Sequence, residues 1–146
     1  MKQFMQLSDE LGEFVLNAVW KQKLHSSQRV GEGRSLRYLK QAGYLVQLGD
    51  DRFRVTDLAR INFLDELVKR RKPDGKIRAV IFDIPEKLKR SRNLFRRHLR
   101  ELGFKMKQQS VWVSSLPCED LVKLVVKYHG LGRYVELVVG KLVALK

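Results

Sequence analysis

Ile77-Arg78-Ala79-Val80-Ile81-Phe82-Asp83-Ile84-Pro85-Glu86 decides how the second half of this chain folds. The first six residues are a largely apolar run of β-forming character that ends at Asp83, the pattern of a strand buried in the middle of a sheet. Ile84-Pro85-Glu86 then turns the chain into a helix that reaches about Leu102, where Gly103 supplies a stop. Leu88, Phe95, Leu99 and Leu102 line one face of that helix. Lys89, Arg90, Arg96, Arg97 and Arg100 fall off the apolar stripe and make a dense basic ridge.

Phe104 to Gln108 and Ser110 to Ser115 read as two further strands. Pro117-Cys118-Glu119-Asp120 opens a helix with Leu121, Leu124, Val125 and Tyr128 inward. Arg133 to Val139 and Lys141 to Leu145 read as final strands on either side of Gly140. The order β-α-β-β-α-β is that of a ferredoxin-like sheet, here with one extra C-terminal strand. That strand is short and apolar and would be hazardous as a bare edge, so pairing with a second subunit is expected and the protein is expected to be a homodimer.

Upstream, Lys69-Arg70-Arg71-Lys72-Pro73-Asp74-Gly75-Lys76 is the sharpest shift in composition. It sets the expected domains at 1–72 and 76–146. In the first, Ser8 caps a helix running to about Leu24, and His25 to Gly33 is a polar loop. A short helix follows from Arg34 to Ala42. Tyr44 to Leu48 and Arg52 to Val55 form a β-hairpin across Gly49-Asp50-Asp51. Thr56 or Asp57 then caps a helix through about Lys72. Helix, helix, hairpin and helix resemble a winged-helix DNA-binding module with Arg52 at the tip of the wing. The fold class is therefore α+β: a winged-helix-like N-terminal module followed by a ferredoxin-like domain.

Charge points to the partner. Thirty Lys and Arg against sixteen Asp and Glu leave +14 over 146 residues, which calls for a polyanion, with double-stranded DNA as the leading candidate. Residues 73–146 carry more of the excess than residues 1–72, +9 against +5. Cys118 is the single cysteine, which excludes an internal disulfide and a thiolate metal cluster and fits a reducing cytoplasm. Met1 to Met5 lacks the apolar core of a signal peptide, and no apolar run is long enough to span a bilayer, so no membrane partner is expected.

Ala79 to Lys87, the basic helix, Glu101-Leu102-Gly103-Phe104 and Gln109-Ser110-Val111-Trp112-Val113-Ser114 together resemble two related families. One is the ferredoxin-like CRISPR-associated endonuclease family, the small subunit of the spacer-integration complex, over about residues 76–146. The other is the PaaX-like transcriptional repressors, which join the same domain to a winged helix and are similar to nearly the whole chain. The N-terminal module favours the repressors, and a dimeric DNA-binding transcriptional regulator is the leading expectation. A CRISPR-adaptation subunit and a metal-dependent nuclease are the alternatives. PaaX-like repressors also carry a C-terminal effector-response domain that these residues do not contain, so effector control is not expected of this chain.

The resemblance to the nuclease family implies that Asp83 binds a divalent metal, facing the Asp of a second subunit across the two-fold axis. Mg²⁺ or Mn²⁺ suits a carboxylate site with few protein ligands. The simpler reading needs no cofactor: Asp83 and Glu86 stand three apart at a helix start, the spacing of a capping box. Core packing accounts for Trp112. His25, His98 and His129 are far apart and show no ligand spacing. The nucleic-acid-binding candidates are Arg52, Lys89, Arg90, Arg96, Arg97 and Arg100.

Overall fold

The computed structural model describes residues 6–7, 32–48 and 52–145. The expected helix from Ser8 to Leu24, most of the loop after it and the turn at 49–51 lie outside the described residues. The chain divides into two compact units, Met1–Phe63 and Leu64–Lys146.

In the first unit, strand β1 (Gln6–Leu7) runs parallel to β3 (Arg52–Val55), and β2 (Leu45–Gln47) pairs with β3 antiparallel, giving the order β1-β3-β2. The β2–β3 pairing is the expected hairpin. Helix α1 (Glu32–Gln41) precedes it and ends at Gly43, whose φ of +78° is the left-handed geometry that glycine adopts without strain. Thr56 ties this end of α1 to α2 (Asp57–Asn62). Its hydroxyl donates to the Gly43 carbonyl at 2.6 Å and accepts from the Ala59 N–H at 3.3 Å, the expected N-cap. Leu39, Leu45, Val55, Ala59 and Ile61 are buried in this unit.

The helix expected from Thr56 through Lys72 is instead two. Phe63 leaves helical geometry (φ −128°, ψ 28°) and closes α2, and α3 (Leu64–Lys69) begins at once in the second unit. Phe63 meets Tyr44 edge-on, ring centroids 6.0 Å apart, whereas Leu64, Leu67 and Val68 are buried and α3 packs on the basic helix. Competing burial on the two sides of one peptide bond breaks the helix. The boundary between the two compact units falls between Phe63 and Leu64. Arg71 within the charged run is held by the Pro117 carbonyl (2.7 Å) and by a bidentate pairing with Asp120.

The second unit contains β4 (Ile77–Phe82), a short 3₁₀ turn (Glu86–Leu88), α4 (Lys89–Glu101), β5 (Lys105–Gln108), β6 (Val111–Ser114), α5 (Glu119–Tyr128) and β7 (Val135–Gly140). The sheet order is β5-β6-β4-β7 with every pairing antiparallel, which is the ferredoxin-like arrangement. Strand pleating places Arg78, Val80 and Phe82 on one face with Trp112 and Ser114, all buried. Phe95, Leu99 and Leu102 from the α4 segment and Leu121, Val122 and Val125 from α5 complete this core. Gly103, with φ +86°, ends α4 where expected.

Two expectations are corrected. Asp83 and Glu86 form no capping box: neither the 3₁₀ turn nor α4 has a side-chain cap, and Glu86 instead pairs with Arg92 at 3.0 Å. The extra strand is also not formed. Gly140 is the last residue of β7, and residues 141–145 carry no regular structure. With no turn after Gly140 the chain has no room to reverse and pair with its own β7. Leu142, Val143 and Leu145 are left 77%, 77% and 95% exposed.

Candidate nucleic-acid interface

Helix α4 is strongly two-sided, because its apolar residues recur on one face while seven of its thirteen residues are Lys, Arg or His. Phe95, His98 and Leu99 go inward. On the opposite side Lys89, Arg90, Asn93, Leu94, Arg97 and Arg100 line one shallow, open depression. Four of the five expected ridge residues therefore come together on an exposed surface.

Arg96 is set apart. It is half-buried, and its guanidinium lies over the Phe82 ring, 5.9 Å from the centroid. Arg100 is exposed but lies over the Trp112 ring at 5.2 Å. Trp112 is thus a core residue as expected, 2% exposed, and also a platform; its indole N–H donates to the Gln109 carbonyl at 3.3 Å.

Asp83 follows β4 with an exposed side chain, and its N–H donates to the Tyr134 carbonyl at 2.9 Å. Among the described residues no group of three or more His, Cys, Asp or Glu side chains could hold a metal ion. Arg52 opens β3 opposite Gln6, in the other unit.

Three features escaped sequence reasoning. Lys105 and Lys107 lie exposed along the edge strand β5, where no apolar alternation marked a face. Arg78, 2% exposed, is enclosed by Asp74 (2.7 Å) and Glu119; these carboxylates raise its pKa, and in return Arg78 holds the Asp74 carboxyl well below the usual range. Finally, His98 and His129, far apart in sequence, stack with centroids 5.2 Å apart and planes 27° apart. Glu101 accepts from His98 Nδ1 at 3.1 Å while pairing with Arg97 at 3.6 Å. Burial, then His98 and Arg97, lower the pKa of His129, whose Nε2 is buried without a hydrogen-bond partner.

Fold and surface together define a ferredoxin-like domain with a cationic helix across one side. Residues 70–146 match the family model of the PaaX protein central Cas2-like domain, and the chain belongs to the PaaX family. None of the curated proteins matches it significantly. Among solved structures, the uncharacterized protein Rv0674 from Mycobacterium tuberculosis is similar at 21% identity and a TM-score of 0.41, over 80% of this chain. The chain spans about half the length of that protein, 50%. Among the described residues no helix is long and apolar enough to cross a membrane.

Proposed function

We propose that this chain is a DNA-binding transcriptional regulator that acts in the cytoplasm as a homodimer on double-stranded DNA. The observation that carries the reading is the exposed cationic face of α4 on a domain of the PaaX family. Backbone phosphates are neutralised by such a face without regard to sequence. The N-terminal unit acts as a winged helix that orients the protein on the duplex, with Arg52 at the tip of the wing. The hairpin and the Thr56-capped helix support that assignment.

Dimerisation is supported by two apolar surfaces. The sheet face turned away from the helices presents Ile81 (39% exposed) and Val138 (51% exposed) beside Ala79 and Val113. Beyond β7, Leu142, Val143 and Leu145 offer an apolar segment that a second copy can pair along the free β7 edge. Regulation in this form requires no cofactor.

The test is footprinting on DNA upstream of the protein's own gene. A protected site with dyad symmetry is expected. Uniform, sequence-independent protection would reject operator recognition. A second reading, metal-dependent cleavage, rests on Asp83 being exposed at the end of the central strand, where a second copy could supply the partner carboxylate. It requires Mg²⁺- or Mn²⁺-dependent turnover that Asp83→Ala abolishes.

A further inference from the structure

Six arginines of the second unit differ in what they hold. Arg71, Arg78, Arg92 and Arg97 each hold a carboxylate. Arg96 and Arg100 hold none; their described contacts are with aromatic faces, Phe82 at 5.9 Å and Trp112 at 5.2 Å. They stand at i and i+4, one turn apart on the same side of α4, a rise of about 6 Å. Both rings come from the helix-covered face of the sheet and are buried.

A ring face attracts a guanidinium electrostatically but leaves its N–H groups in need of acceptors. The Nε of Arg96 is buried with no hydrogen-bond partner. The aromatic seats therefore restrict where the two planar forks sit while their donors stay uncommitted. Restriction before binding lowers the entropy lost on binding, and a guanidinium fork matches the paired oxygens of a phosphate.

We propose that Arg96 and Arg100, seated on Phe82 and Trp112, form an ordered phosphodiester-binding subsite in which the two rings are positioning residues. This rests on the nucleic-acid reading above and divides its ridge in two. Lys89, Arg90 and Arg97 contribute charge, whereas Arg96 and Arg100 contribute directed, bidentate hydrogen bonds.

Arginine-to-lysine exchange separates these roles, since it keeps the charge and removes the fork. In the full chain, Arg96→Lys/Arg100→Lys should weaken binding to a mixed-sequence duplex by about tenfold, with the log-log salt slope unchanged. Arg90→Lys/Arg97→Lys should lose about fivefold less. Trp112→Leu should also weaken binding, and Trp112→Phe, which restores a ring face, should recover most of the loss. The chain has two tryptophans, so in a Trp20→Phe background the emission of Trp112 reports directly on Arg100. It should change on duplex binding, and the change should vanish in Arg100→Lys.

Equal losses in the two lysine pairs, or a Trp112 emission indifferent to saturating duplex, would overturn the subsite. If the wild type binds no duplex at all, the regulator reading fails, and titration with inorganic phosphate judges the subsite alone. A Trp112 response lost in Arg100→Lys then upholds it, and no response refutes it.

Discussion

Replacing Lys89, Arg90 and Arg97 together with serine removes three cations from the exposed side of α4 without touching its buried face. All three side chains are exposed, and the one ion pair broken, Arg97 with Glu101 at 3.6 Å, is a surface pair worth at most about 1 kcal/mol. The fold should therefore survive, as circular dichroism and the melting temperature would show. Each phosphate contact contributes about 0.9 to the slope of log affinity against log salt, so three lost contacts should flatten it by about 2.7 for each protomer engaged. Between 50 and 200 mM salt, the factor by which affinity falls should shrink about fortyfold. Fluorescence anisotropy with a labelled duplex across that range measures both quantities. An unaltered slope in a correctly folded variant would refute phosphate binding by this face and leave contact to the N-terminal unit.

Two pH effects follow from buried groups, and a third prediction concerns assembly. His129 has a folded pKa below the ordinary 6.5, because burial and then His98 and Arg97 oppose its charge. The unfolded chain thus takes up the proton first, and the stability contributed by neutral His129 is complete above pH 6.5 and is lost as pH falls. Denaturant midpoints between pH 5 and 7.5 should fall on acidification less steeply in His129→Gln than in wild type; parallel profiles would contradict this. Burial and the neighbouring Glu119 charge push the Cys118 thiol from 9.0 up to about 11. Its contribution is present below pH 9 and lost as pH rises toward 11, so Cys118→Ala should flatten the alkaline fall in stability. The native thiol should also resist a thiol reagent at pH 8 until the protein unfolds, and rapid labelling of folded protein would count against this. Deleting residues 141–146, or replacing Ile81 and Val138 with lysine, should shift the protein to monomer in sedimentation. Persistence of a full dimer in both variants would dismiss the two proposed apolar contacts.

Local chemistry carried much of the fold. Ile77 to Phe82 forms the central strand at the expected residues because an apolar run bounded by polar residues and followed by Pro85 has few alternatives. Thr56 caps its helix and Gly103 ends another because each supplies a hydroxyl acceptor or a positive φ that its neighbours cannot. The basic ridge was equally plain, since helical spacing alone separates Lys89, Arg90, Arg97 and Arg100 from Phe95 and Leu99.

Tertiary structure decided what depends on distant partners. Periodicity ran unbroken from Leu58 to Val68, yet Phe63 packs on Tyr44 in one unit while Leu64 is buried in the other, and only that competition reveals the break. The stretch after Gly140 has the composition of a strand but carries no regular structure, because without a turn it cannot fold back along the free edge of β7. Nothing in the spacing of Arg96 and Arg100 sets them apart from their neighbours. Their aromatic seats come from Phe82 and Trp112 on two other elements. The stacking of His98 on His129 likewise exists only because α4 and α5 pack side by side. Sequence determines which elements form because propensity, capping and periodicity act over a few residues. Which face meets which neighbour is decided by packing between elements, among residues twelve or more positions apart.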